Sequence, residues 1–129
     1  MSEIDYNILT EEVIAAAIEV HRELGSGLLE SVYQHCFCEE LSSRRIPFVS
    51  QSKLPNKYKG KELSKDFIID VLIEDKLVVE LKAIEKILPV HEVQLVTYLK
   101  LSGKKLGLLI NFNEPLLKNG IRRRINGKI

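Results

Sequence analysis

The sequence predicts an α/β sandwich, with helices on both faces of a mixed β-sheet. Three observations carry that prediction. Two successive helix-period stretches fill the first third of the chain, and two β-favouring runs flank a short turn at Glu74-Asp75-Lys76. A further helical segment then leads into an almost wholly apolar run, Leu106 to Phe112. With 129 residues, 45% hydrophobic and 29% charged, the chain suits one domain over residues 1–129 with one real core. It has no repeats and no low-complexity tract.

The first helix is expected from about Thr10, its cap, to Leu24, with Val13, Ile14, Ala17, Ile18 and Leu24 on one apolar face and Gly25 as the stop. A second runs from near Gly27 to about Arg44, with Leu29, Val32, Tyr33, Cys36, Phe37 and Leu41 as its apolar positions. Pro47 marks the change to extended chain. Ile46 to Lys53 reads as a strand, and Lys57-Tyr58-Lys59-Gly60-Lys61 as a turn with short strand arms. Phe67–Ile73 and Leu77–Ala83 follow as strands, then a helix opened by Pro89 and ended near Ser102-Gly103. Leu106–Phe112 is expected to be a central strand buried on both faces, parallel to the one before the helix. Asn119-Gly120, between Leu116-Leu117 and Ile121-Arg122, signals a C-terminal hairpin.

The acidic start Met-Ser-Glu-Ile-Asp-Tyr lacks the apolar stretch of a signal peptide, and no run is long enough to span a bilayer. A cytoplasmic protein with no membrane association is expected. Cys36 and Cys38 agree with that. Two apart on a helix they point about 200° from each other, so they close no intrahelical disulfide. No second ligand pair completes a zinc site, which leaves half-buried thiols in a reducing compartment. Net charge is only +1, yet Lys53, Lys57, Lys59, Lys61 and Lys65 cluster in one stretch and Arg122, Arg123 and Arg124 in another. Each cluster has two readings, a phosphate contact or, more commonly, a solvated face.

The chemistry lies in the hairpin. If Glu74-Asp75-Lys76 is its loop, Ile73 pairs with Leu77 and Asp70 lies across from Glu80. Alternation then puts Phe67, Ile69, Val71, Ile73, Leu77, Val79, Leu81 and Ala83 on one apolar face. The other face carries Ile68, Asp70, Leu72, Val78, Glu80 and Lys82. Charges set among apolar neighbours are half-buried and need a partner or a cation. Two carboxylates with a nearby ammonium suit Mg²⁺ or Mn²⁺ and a reacting phosphate. The competing reading is a Glu80–Lys82 ion pair beside an unrelated Asp70, and the hairpin alone leaves the two even.

Gly27-Leu28-Leu29-Glu30-Ser31-Val32-Tyr33 fits Gly-x-x-Glu-x-x-Tyr, and the resemblance runs nearly end to end. It takes in Ala15 to Gly27 with Val20-His21-Arg22-Glu23-Leu24-Gly25, then Tyr58-Lys59-Gly60, Asp70 and Val79-Glu80-Leu81-Lys82-Ala83. It continues through His91-Glu92-Val93-Gln94 and Tyr98-Leu99 to Gly107-Leu108-Leu109-Ile110-Asn111-Phe112 and Gly120-Ile121. In this ordered set the chain resembles the GxxExxY protein family, a compact branch of the PD-(D/E)XK nuclease superfamily. The resemblance implies a restriction-endonuclease-like αβββαβ core with an extra N-terminal helix and a C-terminal hairpin.

It also implies roles. Asp70 answers to the motif's Asp and Glu80-Leu81-Lys82 to its (D/E)XK, with the Leu81 carbonyl as an extra metal ligand; Ile69 stands where the usual Pro would be. Glu30 matches the helix carboxylate that holds metal or its water in RecB-like members, and Gln94-Leu95-Val96-Thr97-Tyr98 their Gln-x-x-x-Tyr element. Taken alone, Glu30 is also readable as a first-turn acid favoured by the helix dipole. Tyr33 reads as core, His91 as a structural histidine on the stripe of Gln94 and Tyr98, and Gly27 as a backbone device. That stripe is expected to face a polar cavity or substrate. The implied activity is Mg²⁺- or Mn²⁺-dependent phosphodiester hydrolysis of nucleic acid, DNA before RNA. The alternative is a nuclease-fold module that binds nucleic acid or a protein. With little room for an added specificity domain, a partner or a homodimer is expected to supply it.

Overall fold

The computed structural model describes residues 1–64 and 66–128. Two helices, α1 (Glu3–Leu24) and α2 (Glu30–Ser43), precede strands β1 (Phe48–Leu54), β2 (Lys57–Tyr58), β3 (Lys61–Glu62), β4 (Phe67–Ile73) and β5 (Leu77–Lys82). Helix α3 (Pro89–Ser102), strand β6 (Leu106–Asn111), a 3₁₀ turn (Leu117–Gly120) and β7 (Ile121–Ile125) complete the chain. The main sheet has the order β1-β4-β5-β6-β7, with β5 and β6 parallel and the other neighbours antiparallel. The short β2–β3 pair forms a separate ribbon between β1 and β4, as the Lys57–Lys61 turn signal predicts. The Lys65 of the expected lysine cluster lies outside the described residues.

Helices α1 and α2 cover one face, where Tyr6, Val13, Val20, Tyr33, Phe37 and Leu41 pack on Val71, Ile73, Val79, Leu81, Leu108 and Ile110. Helix α3 covers the other through Leu95, Tyr98 and Leu99, against Ile69, Leu72, Val78 and Leu109. Every residue of β6 is buried, as expected for a strand enclosed on both sides. Gly107 lets α3 approach: a Cβ there would lie 2.7 Å from Leu95 Cδ1. No helix among the described residues is long and apolar enough to cross a membrane.

Four expectations need correction. Helix α1 begins at Glu3, not Thr10, because Ser2 and Asp5 form a capping box: the Ser2 hydroxyl accepts from the Asp5 N–H at 3.2 Å, and the Ser2 N–H donates to Asp5 at 3.0 Å. Thr10 is buried mid-helix, its hydroxyl donating to the Tyr6 carbonyl, and Ile18 faces solvent. Helix α2 begins at Glu30, so Leu29 precedes it and is exposed, as is Val32. Strand β1 starts at Phe48, two residues later than expected, because Ile46 closes the end of α2 by donating to the Leu41 carbonyl. The C-terminal hairpin has different arms: β6 pairs with β7, Ile110 opposite Ile121, while Asn119-Gly120 lies in the 3₁₀ turn.

Candidate active site

The predicted register holds. Ile73 pairs with Leu77, Leu72 with Val78 and Val71 with Val79, closed by Glu74-Asp75-Lys76. At the next level the ladder stops, and side chains replace the backbone pairs. The Asp70 N–H donates to Glu80 Oε1 at 3.2 Å, and the Leu81 N–H donates to Asp70 Oδ2 at 2.8 Å. On its other side Asp70 has no ladder partner either. Ser50 pairs with Val71 and Ser52 with Ile69, but Gln51 is skipped and stands at φ +54°. The Asp70 carbonyl accepts instead from the Gln34 side-chain amide at 2.9 Å, which also donates to the Ser50 hydroxyl. Both backbone polar groups of Asp70 are thus satisfied by side chains.

This break corrects the assignment of faces. Phe67 and Ile69 are expected beside Val71 and Ile73, but they pack with Leu72 and Val78 under α3. Strict alternation fails at Asp70 because the carboxyl groups compete successfully for the N–H groups that would keep the pleat regular.

Glu80 is buried, only 4% exposed. Burial above all, and then the charge of Asp70, push its carboxyl up to about 9, against a smaller pull from the Asp70 N–H and from Lys82. Lys82 stands near enough to act on both Glu80 and Glu30, yet it joins no ion pair among the described residues. A simple Glu80–Lys82 ion pair is therefore not what forms.

Glu30 is the first residue of α2. Burial and then the Asp70 charge raise its carboxyl, and Lys82 pulls it back. The Gly-x-x-Glu-x-x-Tyr segment shows how that placement arises. Gly27 adopts φ +91°, and its N–H donates to Asn113 Oδ1. The buried Tyr33 stacks on Phe112 with ring centres 4.6 Å apart; its hydroxyl donates to the Gly25 carbonyl at 2.6 Å and accepts from the Leu28 N–H. Tyr33 is core, as expected, and it fixes the loop that delivers Glu30.

From the α3 side, the Gln94 amide donates to the Tyr98 hydroxyl at 3.0 Å. Tyr98 is buried, with its ring against Phe67. Its phenol is raised, first by burial and further by the charges of Glu80 and Asp70, against a pull from the Gln94 hydrogen bond. His91 does not join Gln94 and Tyr98: its Nδ1 accepts from the Leu88 N–H at 2.8 Å and caps the start of α3. Sequence reasoning gave no role to Gln34 or Asn111. Asn111, fully buried at the end of β6, accepts from the Ile84 N–H and donates to the Ile84 carbonyl, and so holds the chain just beyond Lys82. Its signal was a lone amide within an apolar run.

A cleft of about 620 Å³ opens beside Asp70, lined by Glu30, Gln34, His35, Cys38, Ser50 and Gln51 among others. Both cysteines are free thiols. Asp70 and Glu80 offer only carboxylate oxygens, and a cation between them would offset both their repulsion and the burial of Glu80, so the donor chemistry fits a hard divalent ion. Among the described residues no three His, Cys, Asp or Glu side chains draw together closely enough to encage one. No curated protein and no solved structure matches the chain significantly. A family model described as the PD-(D/E)XK nuclease superfamily matches residues 7–124, which takes in every group just placed. The chain belongs to the PD-(D/E)XK nuclease superfamily.

Proposed function

We propose that the protein is a divalent-metal-dependent nuclease, of the GxxExxY branch of its superfamily, that hydrolyses phosphodiester bonds in nucleic acid, DNA before RNA. Nucleases of this superfamily generally use divalent metal ions. The observation that carries the reading is the opened ladder at Asp70 and Glu80, where Glu80 accepts the Asp70 N–H and Asp70 accepts the Leu81 N–H, beside a Lys82 that joins no ion pair among the described residues. Asp70 and Glu80 would hold a Mg²⁺ or Mn²⁺ ion, with the Leu81 carbonyl as a further ligand and Glu30 reaching it through water. The ion supplies Lewis acidity toward a phosphodiester. The Lys82 ammonium steadies the negative charge that develops on the phosphate. Gln94 orients the Tyr98 hydroxyl toward the acid pair.

The test measures Mg²⁺ and Mn²⁺ binding by calorimetry for wild type, Asp70→Ala and Glu80→Ala, with cleavage of single-stranded, duplex and branched DNA and of RNA. Wild type should bind and cleave, and both variants should do neither. Equal metal binding by all three proteins ends the nuclease reading. Metal binding without cleavage would favour a nuclease-fold binding module instead.

A further inference from the structure

The two basic clusters of the sequence meet different fates. The arginines of β7 are tied down within the fold: Arg122 donates to the Asn119 carbonyl at 3.0 Å, Arg123 to Asn7, and Arg124 pairs with Glu92. The lysines are not. Lys53, Lys57, Lys59 and Lys61 are all exposed, and none joins an ion pair among the described residues. Residues 53–64 hold those four lysines against one acid, Glu62, in a chain whose net charge is only +1. Uncompensated positive charge is therefore gathered on the β2–β3 ribbon and on the end of β1 that leads into it.

The ribbon also carries an aromatic. Tyr58 is 63% exposed and pairs across the ribbon with Lys61, and Lys59 Nζ lies 5.5 Å from its ring centre. One face of the ring meets a cation; an exposed ring of this kind takes an unpaired base by stacking.

Its place in the fold matters most. Leu54 and Phe67 form the last pair of the β1–β4 ladder, and the chain leaves the sheet there as β2 and β3. Phe67 is three residues from Asp70, about 10 Å along an extended strand. Because β4 runs antiparallel to β5, this is also the sheet end at which β5 finishes in Glu80 and Lys82. The ribbon base is anchored there by Phe67 on Tyr98, with ring centres 5.7 Å apart.

We infer that the β2–β3 ribbon is the arm that holds a single-stranded stretch of nucleic acid beside the candidate active site, with Lys53, Lys57, Lys59 and Lys61 on phosphates and Tyr58 under a base. The inference rests on the nuclease reading only for where the scissile bond lies. Binding in the absence of metal tests it separately.

Fluorescence anisotropy in EDTA, with a labelled oligodeoxythymidine and a mixed-sequence duplex, compares wild type with three variants. Replacing all four lysines by Gln should weaken oligodeoxythymidine binding at least tenfold and flatten the slope of log K against log salt by about 2 to 3, given about 0.7 per neutralised phosphate on a single strand. Tyr58→Ala should weaken the single strand about fivefold or more and leave the duplex nearly unchanged, while Tyr58→Phe should match wild type. All of these positions are exposed, and unchanged thermal midpoints will show that the fold is kept. Equal affinities and salt slopes for wild type and the Gln variant overturn the inference, as does a Tyr58→Ala loss shared by duplex and single strand. Failure of the nuclease reading would show as absent metal-dependent cleavage with these binding differences intact.

Discussion

Removing the titration of Glu80 should change how stability responds to pH. In the folded protein its carboxyl is held up to about 9 against an ordinary 4.5, chiefly by burial and by the neighbouring Asp70. Between those values the native state keeps a proton that the unfolded chain releases. The stabilisation is complete below pH 4.5 and is lost as pH rises towards 9. Without metal, wild type should lose about 3 kcal/mol between pH 5.5 and pH 7.5 from this group, a large part of an ordinary domain's stability. Glu80→Gln keeps an oxygen for the Asp70 N–H and removes the titration. Urea unfolding in EDTA across that range should show the wild-type midpoint falling with pH relative to the variant. Mg²⁺ at pH 8 should restore wild type, because it binds the ionised form, and should leave the variant nearly unmoved. Parallel pH profiles for the two proteins would refute the reasoning.

Three further outcomes follow from other contacts. Lys82→Ala should leave calorimetric metal affinity close to wild type and lower kcat at least tenfold; a loss of folding by circular dichroism would make Lys82 a structural residue. Gln34→Ala removes the donor to the Asp70 carbonyl and to Ser50, so urea unfolding should show a loss of about 1 to 2 kcal/mol, with turnover falling further than metal affinity. Gly107→Ala places a methyl 2.7 Å from Leu95 Cδ1 and should cost about 1 to 3 kcal/mol in the same assay.

How far the fold was legible depended on whether local pattern and local chemistry agreed. The β6 run and the β4–β5 hairpin were readable because burial on both faces and a three-residue turn each leave an unambiguous trace at short range. The start of α1 was misplaced because two capping signals compete: Thr10 has the right chemistry, but its hydroxyl bonds back within a helix that Ser2 and Asp5 had already begun. The exposed Ile18 and Leu29 show the limit of counting apolar residues, since only packing decides which side of a mixed helix turns inward. Gln34 was invisible for a different reason. Its partner lies 36 positions away on another element, and nothing in its own neighbourhood marks it.

The candidate site was legible as residue types and as register, and illegible where it departs from ideal strand geometry. In a regular pleat Asp70 would share the α3 side with Glu80, while Glu30 arrives from α2 on the opposite side. Yet Asp70 bears on groups from both layers: it raises Glu30 from one and Tyr98 from the other, and it lines the cleft with Glu30 and Gln34. The ladder is interrupted on both sides of Asp70. The opening is made by side chains taking over Asp70's backbone partners and by Gln51 in a left-handed conformation across from it. For a non-glycine residue that conformation costs about 1 to 2 kcal/mol. A fold selected for stability alone would close the ladder with an ordinary residue at position 51 and an apolar one at position 70. The distortion, with two acids placed in it, supports the proposal that this level of the sheet serves chemistry.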